Sequence, residues 1–144
     1  MPDLLLPTVS GLLLEPAWAV AEPPGEDAPK AAALHRLRRR IKRVRYEVEC
    51  LAPVLVPAVA GWLEELHALQ DALGAWHDAG VLLPRLVRLA PPGPLHAAVS
   101  AEAVAALAPW PAWRARYVQP VARGRLRALL SVSPSHPGAP HGAG

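Results

Sequence analysis

The sequence predicts an all-α protein, a small antiparallel helical bundle, and three observations carry that prediction. Two stretches of more than twenty residues, Ala31 to Ala52 and Ala58 to Leu83, contain no proline. Both are built mostly from strong helix formers, with apolar residues recurring at spacings of three and four. No segment shows the strict alternation that a half-buried strand needs. The 144 residues allow one modest domain and exclude a multidomain enzyme; at 52% hydrophobic they supply a core, mostly from Ala, Leu and Val.

Taken in chain order, Met1 to Val20 holds two leucine triplets, but Asp3 stands where a signal peptide needs positive charge. Pro7, Gly11, Glu15 and Pro16 also interrupt the apolar run before it reaches the roughly 18–20 residues of a membrane span. A short helix from about Pro7 to Leu14, its leucines docked on the body, is the preferred reading. Pro16 to Pro29 is rich in proline and acid and is expected to be a linker. The expected organisation is thus residues 1–29 as apolar segment and linker, 30–131 as the folded bundle and 132–144 as a disordered Pro/Gly/His tail. Within the bundle, one helix should run from Ala31 to about Ala52, ended by Pro53 and Pro57. A second should run from about Ala58 to Leu83 or beyond, with Trp62, Leu66, Leu69, Leu73 and Trp76 on one stripe and Gly74, Gly80 and Pro84 as weak points. A short apolar helix from Leu95 to Leu107 follows, then a last one from Ala112 to Leu130 kinked at Pro120.

Charge distribution is more informative than the net charge of +3: seven of the fifteen basic residues lie between Arg36 and Arg45, and no acid follows Glu102. At about 100° per residue, Leu34, Leu37, Ile41, Val44, Val48 and Leu51 share an apolar stripe that must face the core. His35, Arg38, Lys42 and Arg45 align into a cationic row roughly 15 Å long, with Tyr46 and Glu49 on the same face and Arg39 and Arg43 on its shoulder. Stacked cations repel one another along a helix. A bound polyanion relieves that repulsion, and arginine forks suit phosphate oxygens. A second cluster, Arg114, Arg116, Arg123, Arg125 and Arg127, belongs to the last helix and would wall a groove with the first if the two helices packed side by side.

Other chemistry is weakly signalled. His67 and His77 bracket Asp71 and Asp78, but no i, i+4 histidine pair and no HExxH pattern is present, so no metal site is expected. Gln70 is expected to hold an interhelical hydrogen bond, and Trp62, Trp76, Trp110 and Trp113 to be core or rim aromatics. The single cysteine, Cys50, permits no internal disulfide and reads as a small core residue; it gives no sign of an oxidising compartment, which makes the cytoplasm the expected location. The chain has no Gly-rich phosphate loop, nucleophile elbow or reactive-cysteine setting, and no carboxylate cluster for Mg²⁺ beside the basic row. Neither catalysis nor a cofactor is expected.

The segment Leu34-His35-Arg36-Leu37-Arg38, with Lys42-Arg43-Val44-Arg45-Tyr46 and Glu49, resembles the signature helix of the CHAD family, the conserved histidine α-helical domain. Leu66-His67-Ala68-Leu69-Gln70-Asp71-Ala72-Leu73-Gly74, then Asp78, resembles the family's LxxLQxxLG…D helix, and Trp113 to Leu130 is similar to its Arg/Trp-rich end. The resemblance implies a helical domain that binds inorganic polyphosphate through a basic channel and associates with polyphosphate granules. It assigns the family histidine to His35 and the cationic positions to Arg38, Lys42 and Arg45, with Arg39, Arg43 and Tyr46 as neighbours and Arg116 as the second cluster's contribution. A full domain of the family has two such halves, whereas this chain has one His/Arg helix and resembles the C-terminal half of a two-bundle domain. That size implies either pairing of two chains, or of the chain with a separate partner half, to rebuild the channel, or an open basic face. The alternatives from other classes are an RNA-binding helical module using the same arginines and a pairing scaffold without ligand. RNA is disfavoured because the exposed aromatic interleaving of single-strand readers is missing. No membrane partner is expected.

Overall fold

The computed structural model describes residues 2–25 and 27–130. Six α-helices make up the described chain, with no strand among them: α1 (Pro2–Leu13), α2 (Ala28–Leu51), α3 (Val59–Leu89), α4 (Pro94–Ala106), α5 (Trp110–Val118) and α6 (Pro120–Ala128). A short 3₁₀ turn, Pro16–Ala19, lies between α1 and α2, and a second, Ala52–Val54, follows α2.

Helix α2 starts where Asp27 caps it, accepting a hydrogen bond from the Lys30 backbone N–H at 3.2 Å, with Pro29 in the first turn. Its stripe Leu34, Leu37, Ile41, Val44 and Val48 is wholly buried. Helix α3 returns against it with Trp62, Leu66, Leu69 and Leu73 buried, and it continues through Gly74, Gly80 and Pro84 to Leu89. Contacts between the two pair His35 with His77, Arg38 with Gly74, Arg45 with Gln70 and Glu49 with His67. One number rises as the other falls, so the two helices are antiparallel. On the other flank of α2 lies α1, while α4 packs on α3, α5 on the first 3₁₀ turn, and α6 on α5 and α1.

The N-terminal third corrects the expected boundary at Lys30. Leu5, Val9, Leu12 and Leu13 of α1 and Ala17 and Trp18 of the 3₁₀ turn are buried in the same cluster as the α2 and α3 stripes. Trp18 stacks with Trp110 and Tyr117, with ring centroids 5.4 Å and 4.2 Å away and rings within 10° and 2° of parallel. Its Nε1 donates to the Leu12 carbonyl at 2.7 Å, Trp110 Nε1 donates to the Val20 carbonyl at 2.8 Å, and Trp62 Nε1 donates to the Tyr117 hydroxyl at 3.1 Å. Burial pushes the Tyr117 phenol far above its ordinary range, so the hydroxyl stays neutral. The first part of the stretch expected to be a linker, Pro16 to Val20, is thus the seam that joins α1 to α5.

Two further expectations change. The last helical stretch is broken rather than kinked: Gln119 is extended (φ −74°, ψ 130°), because the ring of Pro120 disfavours helical geometry in the residue before it. Cys50 is exposed, since its position on α2 falls outside the apolar stripe. Trp62 and Trp110 are buried and Trp76 and Trp113 pack half-buried against the core, as expected. The tail expectation concerns residues 132–144, which lie outside the described residues.

Candidate functional site

The polar side of the α2–α3 contact forms a groove of about 440 Å³ lined by His35, Arg38, Arg39, Lys42 and Gln70. None of these is a carboxylate, so the concavity presents cations, an imidazole and an amide. Gly74 on α3 stands opposite Arg38; a Cβ there would lie 3.7 Å from Arg38 Nε, so no α3 side chain crosses the groove at this point. Arg38 Nε and His35 Nδ1 are buried and have no hydrogen-bond partner among the described residues. His35 stacks on His77 with centroids 4.6 Å apart.

Burial first, and then the charges of His77, Arg38 and Arg39, hold the His35 imidazole below the ordinary histidine range, so it is neutral at pH 7. The unfolded chain, with an ordinary value of about 6.5, therefore binds more protons there than the folded one. The contribution of His35 to stability is complete above that value and is lost as the pH falls through it toward the lowered native one. The melting temperature of the free protein is expected to fall between pH 7 and pH 5, and a His35→Gln variant to show a flatter profile, by circular dichroism melts.

Arg45, placed by the sequence in the same cationic row, has a different fate. Its side chain is only 10% exposed. Its Nε donates to Gln70 Oε1 and its Nη1 to Glu49 Oε1, both at 2.8 Å, and its guanidinium lies 4.2 Å from the centroid of the Tyr46 ring that covers it. Glu49 Oε1 also meets His67 Nε2 at 2.9 Å. Gln70 thus holds the interhelical bond expected of it, and Arg45 is a tie between α2 and α3 rather than a free phosphate donor. Tyr46 is exposed, with Lys42 Nζ 6.0 Å from its ring.

Arg43 lies on the far shoulder, its Nε donating to Glu47 at 2.8 Å. Arg116 does not line the groove: it pairs with Glu65 and borders a separate concavity with Gly61, Trp62 and Arg125. Arg114 Nε donates to the Trp18 carbonyl at 2.7 Å; Arg123 donates to the Tyr117 carbonyl at 2.6 Å and the Leu13 carbonyl at 2.7 Å. The second cluster does not wall a groove with α2, because α5 and α6 pack on the N-terminal elements, where Arg114 and Arg123 are held, while Arg116 is taken up by Glu65 of α3. The histidines of α3 separate, His77 to His35 and His67 to Glu49, and no three His, Cys, Asp or Glu residues gather among the described residues.

The profile of the CHAD domain matches residues 1–87, more than half of the chain. The chain belongs to the CHAD family. In this CHAD domain the match takes in α1, the Pro-rich segment and α2 and ends inside α3, so it covers every residue lining the groove and stops short of the final arginines. CHAD domains are associated with polyphosphate binding in general, and typically bind or scaffold rather than catalyse. Comparisons with curated proteins and with solved structures each found no match. Among the described residues, no helix is long and apolar enough to cross a membrane.

Proposed function

We propose that this CHAD domain binds inorganic polyphosphate, without catalysis, in the groove between α2 and α3. The observation that carries the reading is a concavity lined by Arg38, Arg39, Lys42 and His35 with no carboxylate among its walls. Arg38, Arg39 and Lys42 neutralise successive phosphates and release counterions, the arginines through paired N–H donors and the lysine as a point charge. His35 supplies a hydrogen bond and, beside bound phosphate, favours its protonated form. Tyr46 stands at the lip with its hydroxyl available, Arg45 sets the distance between the helices, and Arg43 adds charge from the shoulder. The groove is open to solvent along α2, and a second copy of the chain or a partner half would close it into a channel. Binding in the cytoplasm, at polyphosphate granules, suits such a module.

The test is titration calorimetry with long-chain polyphosphate, read with the mass of the complex. Replacing Arg38 and Lys42 together by alanine is expected to weaken binding by at least about tenfold at low salt, with the helical circular dichroism unchanged. Parent and variant affinity should converge as salt rises. Equal affinity of the two proteins at low salt would remove the groove from consideration, and displacement of polyphosphate by single-stranded RNA at equal phosphate concentration would favour the nucleic-acid reading.

A further inference from the structure

The cationic surface of α2 does not end at the α3 groove. At about 100° per residue, Arg38, Lys42, His35, Arg39, Arg43, Arg36 and Arg40 follow one another around roughly 200° of the helix, and the apolar stripe, with the buried Arg45 at its edge, occupies the remainder. On the flank facing α1 they border a second concavity of about 320 Å³, lined by Glu15, Arg36, Arg39, Arg40 and Arg43. Arg39 lines both concavities and stands on the ridge between them.

Among the described residues, the acids Glu15 and Glu47 on the α1 flank are already engaged. Glu15, whose side chain is 8% exposed, accepts from Arg40 Nε at 2.9 Å, and Glu47 accepts from Arg43 Nε at 2.8 Å. Each bond uses Nε and leaves the Nη donors of that guanidinium to other partners. Gly11 of α1 makes room for this arrangement, since a Cβ there would come within 3.2 Å of Arg40 Nη1. Arg36 and Arg39 are exposed and meet no carboxylate among the described residues. The flank therefore keeps an excess of positive charge in a concave setting, with oriented donors.

We infer that the α1 flank is a second phosphate subsite, centred on Arg36 and Arg39, and that one polyphosphate chain crosses over α2 to occupy both flanks. This rests on the reading of the α3 groove as a polyphosphate site and adds its path. A chain confined to the α3 groove has no use for Arg36. A chain crossing a helix about 10–12 Å wide engages Arg36 only when it is long enough to reach the far side. A short oligophosphate occupies one flank at a time, and long chains gain affinity by linking the two.

The experiment compares tripolyphosphate with long-chain polyphosphate by titration calorimetry on the full chain. Its variants are Arg36→Glu, Arg38→Ala with Lys42→Ala, and Arg88→Glu, an exposed arginine on α3 outside both concavities that carries the same charge change. The parent is expected to take two tripolyphosphates, and Arg36→Glu and the double variant one each. For long chains, Arg36→Glu is expected to lose about tenfold in affinity and to flatten the salt dependence, while Arg88→Glu changes neither by more than about twofold. Loss in the double variant with Arg36→Glu equal to the parent would overturn the crossing path and leave the groove reading intact. The converse result, loss in Arg36→Glu alone, would overturn both, as would no loss in either. An Arg88→Glu effect as large as that of Arg36→Glu would reduce the second subsite to a general effect of charge.

Discussion

Replacing Trp18 by alanine is expected to cost about 3–5 kcal/mol of stability, the largest single loss among these predictions. The indole is 3% exposed and stacks with both Trp110 and Tyr117. Its removal leaves a cavity beside two rings that are pinned elsewhere: Trp110 by its bond to Val20, Tyr117 by its bond from Trp62. Neither ring can close the gap without breaking a buried hydrogen bond, so the cavity term is retained. The variant also loses the bond to the Leu12 carbonyl, one of the two that hold the end of α1 beside that from Arg123 to the Leu13 carbonyl. For a chain of this size, such a loss lowers the melting temperature by on the order of 10 °C or more. Thermal melts by circular dichroism check it, and a shift below about 2 °C would show that the N-terminal third is not part of the cooperative core. A Trp18→Phe variant, which keeps a stacked ring, should recover a substantial part of the difference.

Arg45→Ala is expected to be the second largest, at about 2 kcal/mol. The guanidinium is the hub of a network in which Gln70 and Glu49 both depend on it. Its deletion strands the Gln70 carbonyl oxygen in a half-buried position and leaves Glu49 with His67 as its remaining partner. The carboxylate is 34% exposed, and water takes over part of its solvation, which keeps the loss below that of a fully buried ion pair. Arg45→Lys should not restore stability, because a single ammonium cannot reach both acceptors in the fixed directions of the guanidinium fork. Chemical denaturation measures the loss. A variant as stable as the parent but deficient in polyphosphate binding would return Arg45 to the ligand site.

That contrast shows where sequence reading stops. On the helical wheel Arg38 and Arg45 are about 20° apart, close enough to share one row; locally they differ in the i+4 residue, Glu49 for Arg45 and Lys42 for Arg38. What separates them further is the residue that α3 sets opposite. Gly74 faces Arg38 and offers no acceptor, whereas Gln70, with Glu49 beside it, takes up two edges of Arg45. The same holds for Arg116, which Glu65 claims, and for Arg36, which becomes part of a concavity only because Glu15, just past α1, supplies its second wall. Cys50 could have been placed from the wheel alone, since residue type suggested burial where phase pointed to the polar arc.

Trp18 is the other kind of failure. The prolines and acids around it are those of a linker, and they do forbid a long helix there; the segment forms a four-residue 3₁₀ turn. Yet core membership depends on what the rest of the chain brings to the indole, in this case rings 92 and 99 residues downstream.

The sequence by itself determined the all-α class, the apolar stripes of α2 and α3, the cationic arc and the family, because each is written in the 3.6-residue period or in residue types at short spacing. Only the tertiary structure decided which cations remain free, where the concavities lie, and that the leucines of α1 and Trp18 belong to the core. Burial and the long-range partners, such as Glu15 for Arg40, Gln70 for Arg45 and Glu65 for Arg116, are set by contacts between segments far apart in sequence, and helical phase within one segment records only the i, i+4 pairs.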